Sequence, residues 1–521
     1  MAQLKRKSVR GGSITAVAQA ANVAIHFLST VTLARILHPE EFGVISMVLA
    51  VTLFARLFRD LGLSSSTIQR QALTKEQLST LYWINVLAGA TLTAIVAASA
   101  PLVAWFYGRP ELTWVTVALS FSFLIGSFST QQGALLIREM RFGRSAIATL
   151  SGALATFVIS AVLALQGWSY WALVVGTLSG GILTTVLLNS LSGWRPGRPR
   201  RGTGVRSMLR YGLNLTAFDF VNYFARNLDN ILIGKFAGAD ALGLYSRAYN
   251  LLMFPITNLR GPINSVAFPA LSRLQKHPVE FRQYYRLVIG VLAVTSMPLV
   301  GFFYVAAEPM IRVALGERWL PVAGLFSILA FAAFFQTPAS FRGTVLMSLG
   351  LGRRHLEQGV MNAIVTCAGF LVGIRWGATG VAVSYALSST LLVYAMHHFS
   401  FRGTPLQVRD FFGPILSPVL GTLLAVLVTL GVRTQGWVPS LPIFDLAVSF
   451  GIFALVYLGA LSLQADSRAL LRQAWRLVKD ARQRRSAAPA AVRAAPVTEA
   501  IVTASQPAPA STGRPVTADQ T

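Results

Sequence analysis

Fourteen stretches of the 521-residue chain stay apolar for about 20 residues or more, the length at which a helix crosses a hydrocarbon core of roughly 30 Å. They run over residues 14–37, 42–63, 80–105, 112–136, 146–166, 168–191, 211–236, 244–268, 287–307, 321–349, 357–375, 377–396, 411–432 and 441–463. Inside lipid every backbone N–H and C=O must be bonded within the protein, so stretches of this length are helices. Charged residues make up 12% of the chain, about half the roughly 25% of a soluble domain, and mean hydropathy is +0.57. These values exclude a soluble globular protein and predict an all-α integral membrane fold with about 14 transmembrane helices.

Charge gives a second reading of the same spans. The net charge is +26, and basic residues concentrate in every other loop. Segments 1–13, 64–80, 137–145, 192–210, 273–286, 350–357 and 397–410 hold 23 Lys and Arg, whereas the intervening segments hold 6. The eighth stretch, 244–268, is interrupted by Pro255, Pro262, Arg247 and Arg260, yet omitting it would break every later alternation. The pattern predicts an even bundle with both termini cytoplasmic and spends the positive charge on topology, leaving no case for nucleic acid as a partner. Lys5, Arg6, Lys7 and Arg10 precede a helix too long for a signal-peptide core. Residues 464–521 read as a basic amphipathic helix, Asp466 to Arg485, and a disordered Ala/Pro/Thr/Ser-rich tail that holds the chain to anionic membrane lipids.

An internal repeat appears at an offset of 200. Arg35 to Ser46 aligns without a gap to Lys235 to Ser246: a base (Arg35, Lys235), an acid (Glu40, Asp240), Gly43 with Gly243 and Ser46 with Ser246 coincide. Each copy joins the first and second helix of a six-helix set. The expected organisation is a cytoplasmic N-terminus (1–13), an N-lobe (14–191), a basic linker (192–210), a C-lobe related by parallel repeat (211–396), and two further C-terminal helices (411–463).

These turns, together with Arg59 to Leu63, Ile68 to Arg70, Asn227 to Lys235, Gly243 to Tyr249 and Pro269 to Ser272, resemble Wzx-type polysaccharide flippases. Those belong to the multidrug/oligosaccharidyl-lipid/polysaccharide (MOP) exporter superfamily, in the colanic-acid and teichuronic-acid exporter branch. The resemblance implies alternating-access translocation of undecaprenyl-diphosphate-linked repeat units across the bacterial inner membrane, for exopolysaccharide, capsule or O-antigen. It also implies a place beside the polymerase and glycosyltransferases of such a pathway.

An arginine at the bilayer centre is unfavourable by about 2.5–3.5 kcal/mol, so one that is present faces a protein interior or a wet cavity unless it can snorkel. Arg35 and Arg247, near the outer interface, and Arg56 and Arg59, near the inner one, can snorkel. Arg226 cannot. Around it Asp219, Asn222, Asp229 and Asn230 fall on one stripe of a 3.6-residue helix. One reading is a self-neutralised cluster of Arg226 and Asp229 at i,i+3. The other is a cavity wall between the lobes, where Arg226, Arg260 and Arg342 meet diphosphate or acidic sugars, with Asp219 or Asp229 binding a coupling proton or Na⁺ and Asn222 and Asn230 adding polar lining. Trp105, Tyr107, Trp168, Trp319, Trp376 and Trp437 read as an outer aromatic belt.

There is no phosphate-cradling Gly-x4-Gly-Lys-Ser/Thr loop and no Gly-x-Ser-x-Gly elbow. The six His offer no zinc spacing, and Cys367 stands alone. No cofactor, metal or catalytic residue is expected, and the chain is not expected to be an enzyme. A drug exporter of the same superfamily is the alternative, but it should favour an acidic or aromatic cavity. A membrane polymerase or glycosyltransferase would need a large loop or donor-sugar domain that the sequence lacks.

Overall fold

A computed structural model describes residues 2–56, 64, 67–68, 73–200, 223, 226–437, 439, 441–464 and 468. Asp219, Asn222, the Arg59 to Leu63 motif, most of the 464–521 segment and part of the 192–210 linker lie outside the described residues. The helices belong to one unit, Met1–Ser467.

The described helices are α1 (Ala2–Ile36), α2 (Pro39–Arg56), α3 (Lys75–Tyr107), α4 (Leu112–Arg138), α5 (Phe142–Leu165), α6 (Tyr170–Ser192), α7 (226–236), α8 (Gly238–Arg273), α9 (Pro278–Val305), α10 (Ala307–Ala314), α11 (Pro321–Ala339), α12 (Arg342–Ser348), α13 (Gly352–Gly373), α14 (Gly377–Phe401), α15 (Val408–Thr434) and α16 (Pro442–Leu463). Among the described residues, ten helical stretches are long and apolar enough to cross a membrane, and one of these, Gly352–Phe401, has 50 residues, enough for two passes. The other expected spans are α2, which reaches the edge of the described residues, α7, of which part is described, and α8, which is too polar to qualify by composition.

Local signals set the boundaries. Thr74 caps α3 reciprocally with Gln77: the Gln77 N–H donates to Thr74 Oγ1 and the Thr74 N–H to Gln77 Oε1, both at 3.1 Å. Gly108, at φ 71°, closes α3 in the left-handed conformation. Three differences from the sequence reading have plain causes. The N-terminal segment is not separate from the first span, since α1 runs unbroken from Ala2. The stretch 321–349 runs as one span of two segments, α11 and α12, with a tightened turn between them where the Phe341 N–H donates to the Pro338 carbonyl three residues back. The loop 308–320 folds into α10 and a 3₁₀ turn at Glu317–Trp319.

Helices α1 to α6 pack on one another, as do α8 to α14, while α15 packs against α9 and α16 against α15 and α10. Close helix pairs use small residues: α5 and α6 meet where Gly152 and Gly180 face each other's carbonyls. The equivalent helices of the two sets start about 200 residues apart until Val305, where α10 is inserted and the offset grows. The turns at 37–38, 237 and 306–320 lie at one end of the bundle, here the turn end. Segments 139–141, 193–200, 274–277, 349–351 and 402–407 lie at the other, the basic end.

Two expectations need correction. Trp319 is not in an exposed aromatic belt: it is fully buried, and its Nε1 donates to the Ala34 carbonyl at 2.6 Å. Tyr107 is buried as well, whereas Trp105, Trp168, Trp376 and Trp437 are exposed, as a belt requires. Arg247 does not snorkel; its guanidinium sits 3.7 Å from the centroid of the Phe42 ring, which leans on Trp319 at 5.5 Å.

Candidate functional site

Three of the four coincident positions of the repeat, the base, the glycine and the serine, lie where the lobes meet. A Cβ on Gly43 of α2 would fall 1.7 Å from the Ala239 carbonyl oxygen, and one on Gly243 of α8 would fall 1.8 Å from that of Pro39. Residues 39 and 239 differ by the same 200 as 43 and 243, so the two contacts exchange under the repeat. Such reciprocity is what a two-fold relation between the halves produces. Only glycine lets the two backbones come this close. On the axis, Ser46 Oγ donates to Ser246 Oγ at 3.2 Å.

The basic pair also bridges the lobes, Arg35 reaching the inserted α10. Arg35 donates to the Val313 carbonyl of the C-lobe at 2.5 Å, and Lys235 donates to the Phe106 carbonyl of the N-lobe. The acid Glu40 takes a 2.6 Å ion pair from Arg109 inside its own lobe. Arg247 over Phe42 and Trp319 against Ala34 complete the seal. Deeper contacts are Tyr223 donating to the Ala50 carbonyl and Phe27 against Phe254, with ring centroids 6.1 Å apart.

Beyond that depth, toward the basic end, the two helix faces turn polar and open. On α1 the exposed or half-buried residues Thr15, Gln19, Asn22 and His26 are spaced 4, 3 and 4, one stripe of the helix. On α8 the stripe holds the exposed Asn250, Thr257, Gly261 and Ser265 and the half-buried Ser272. The hydroxyls of Thr257, Ser265 and Ser272 donate to carbonyls of their own helix, whereas Gln19, Asn22 and Asn250 carry amides that are costly to hold against hydrocarbon.

The candidate residues divide. Arg226 is exposed on α7, Arg260 is half-buried on α8, and the two charges are near enough to act on each other and on Tyr249. Arg342 keeps different company: half-buried, it lies beside Tyr285, His355 and His397 within the helices of its own lobe, and among the described residues its Nε has no hydrogen-bond partner. Asp229 is buried. One carboxylate oxygen accepts from Tyr245 Oη at 2.8 Å and the other from the Asn230 N–H at 2.8 Å. Among the described residues no ion pair joins it to Arg226, so the self-neutralised reading of the stripe gives way to a carboxylate held by neutral donors. Asn230 is half-buried beside it. Tyr249 and Tyr385 stand edge to face at 6.5 Å, and Gln336 Nε2 donates to Tyr385 Oη at 2.6 Å.

Sequence reasoning missed the α1 stripe, although the repeat offset leads straight to it. Gln19, Asn22, His26, Ser29 and Thr30 stand 200 before Asp219, Asn222, Arg226, Asp229 and Asn230. The polar stripe is therefore duplicated, and His26 occupies the N-lobe position that Arg226 occupies in the C-lobe. Ser and Thr barely lower hydropathy, and the α1 stripe carries no Asp, Glu, Lys or Arg to mark it.

A family model described as polysaccharide biosynthesis protein matches residues 32–324. The chain belongs to this family. It is similar to the teichuronic acid biosynthesis protein TuaB of Bacillus subtilis (strain 168), 26% identical over 88% of this chain and 96% of that protein. It is likewise similar to the lipopolysaccharide biosynthesis protein WzxC of Escherichia coli (strain K12), 25% identical over 75% of this chain and 81% of that one. Among solved structures, the lipid II flippase MurJ in an inward closed conformation matches with a TM-score of 0.71 at 14% identity, over 86% of this chain and 98% of that one. An inward-facing multidrug resistance MATE family transporter of the MOP superfamily matches at 0.60 and 14% identity, over 77% and 95%. The resemblance read from the turns is borne out, as is the all-α membrane fold. This member of the polysaccharide biosynthesis family is a multi-pass membrane protein with the fold shared by MurJ and the MATE transporter.

Proposed function

We propose that the protein moves undecaprenyl-diphosphate-linked oligosaccharide repeat units across the bacterial inner membrane, for exopolysaccharide, capsule or O-antigen assembly, by alternating access. The observation that carries this reading is the reciprocal glycine contact between the lobes at the turn end, with polar stripes on α1 and α8 toward the basic end. A pair of lobes sealed at one end and hydrated at the other is half of an alternating-access cycle. With both termini and the basic end at the cytoplasm, the conformation is inward-facing and the sealed end is periplasmic.

Arg226 and Arg260 together then form an anion-facing pair whose mutual repulsion is relieved when a diphosphate or an acidic sugar enters, and Arg342 adds positive potential from within its lobe. Asn222 and Asn230 supply neutral donors along the wall. Asp229, held by Tyr245 and a backbone N–H, is the leading site for a coupling proton or Na⁺, with Asp219 the other. Relatives named for teichuronic acid and lipopolysaccharide biosynthesis support the substrate class.

The test is polymer export in cells that depend on this protein. Arg226→Ala and Arg260→Ala should each lower export by about ten- to a hundredfold, the loss of a hydrogen bond to a charged group, at unchanged protein level in the membrane. Unchanged export from both variants would exclude the anion-facing pair.

A further inference from the structure

At the basic end, away from the space between the lobes, the start of α9 and the start of α15 enclose a cleft of about 590 Å³ lined by Val279, Arg282, Gln283, Arg286, Arg409 and Asp410. We propose that this cleft binds the phosphate headgroup of an anionic phospholipid from the surrounding leaflet. The charges inside the cleft are already sorted. Asp410 is buried; one of its oxygens accepts from Arg282 Nε at 2.6 Å and the other from the Gln407 N–H at 2.8 Å. Its carboxylate is thus used up in pinning α9 to α15 and capping the latter.

Arg286 and Arg409 remain. Both are exposed, and among the described residues neither has an ion-pair partner. Arg286 lies across α15, its Nη2 3.7 Å from where a Cβ on Gly413 would be, so both guanidinium groups border one cleft. Two uncompensated guanidinium groups flanking a cleft suit a phosphodiester, which takes paired donors from each.

A phosphate in solution has the same chemistry; the surface leading away from the cleft favours the lipid. On α15, Arg409, Gly413, Leu416, Leu420 and Leu427 follow one another at helical spacing on one stripe. Leu416, Leu420 and Leu427 are 59%, 52% and 68% exposed, opposite the buried face of Phe411, Ile415, Pro418 and Thr422. Headgroup cradle and acyl-chain track therefore run continuously from the helix end into the bilayer. Basic pockets between helix ends are a general form of anionic-lipid site. The inference stands apart from the proposed substrate, since the cleft lies outside the lobe interface.

The test compares thermal unfolding of the full-length protein in vesicles of phosphatidylcholine alone and of phosphatidylcholine with about one-fifth phosphatidylglycerol. Phosphatidylglycerol should raise Tm by about 3 °C or more in the native protein and by less than half as much in Arg286→Ala/Arg409→Ala, which keeps the Arg282–Asp410 pair. Glycerol 3-phosphate added to detergent-solubilised protein should leave Tm unchanged. As a readout free of any folding defect in the double variant, native mass spectrometry should show fewer phosphatidylglycerol molecules retained by Arg409→Gln than by the native chain. Equal lipid shifts in both proteins, equal lipid retention, or a full shift from glycerol 3-phosphate would overturn the proposal.

Discussion

Single residues here act mainly through what they leave no room for. Asp229 is a buried carboxylate whose two oxygens are satisfied by Tyr245 Oη and the Asn230 N–H. Hydrogen bonds between transmembrane helices average only about 0.6 kcal/mol, but one to a charged acceptor is larger, and a buried oxygen left without its donor costs about 1–3 kcal/mol. Tyr245→Phe should therefore lower the Tm of the purified protein by several degrees, while Tyr394→Phe, on an exposed ring, should not. Equal Tm values for the two variants would mean that Tyr245 does not hold the carboxylate. The same logic makes Gly43 irreplaceable. Its neighbour at 1.7 Å is a backbone oxygen that cannot rotate away, unlike the end of a flexible side chain.

At the scale of helices, α2 and α8 form the joint. Gly43→Ala should separate their turn-end halves. A cysteine introduced at Ser246 in a Cys367→Ser background would then react several-fold faster with a membrane-impermeant maleimide. Gly12→Ala, where a Cβ meets nothing within 4 Å, is the control. Equal labelling in the two would place the joint elsewhere. This scale also shows what can be read from sequence. The turn motif was legible because each of its base, glycine and serine positions performs one inter-lobe task twice, and tasks fixed by backbone geometry admit few residue types. The tightened turn at Ser340 and Phe341 was not, since an apolar run carries no mark of a single shortened hydrogen bond. The buried Trp319 and the turned-in Arg247 were missed for a related reason: hydropathy places a residue at a depth and says nothing about which way it faces. The α1 stripe was legible in principle, but only by carrying the offset of 200 back from Asp219 to Asn230.

For the whole molecule, the two helix sets meet at the turn end, where the glycine contacts exchange under the repeat, and both carry polar stripes toward the basic end. Symmetric joints of this kind let two near-rigid bodies rock, since both halves present the same surface to the axis. The account requires that the seal open once per transport cycle. Ser46 and Ser246, whose Oγ atoms lie 3.2 Å apart on the axis, allow a direct measurement. In a Cys367→Ser background, Ser46→Cys/Ser246→Cys should form a disulfide across the lobes under mild oxidation, stop polymer export, and recover it on reduction. A double-cysteine protein that fails to cross-link, or that exports at the full rate while cross-linked, would contradict alternating access about this joint.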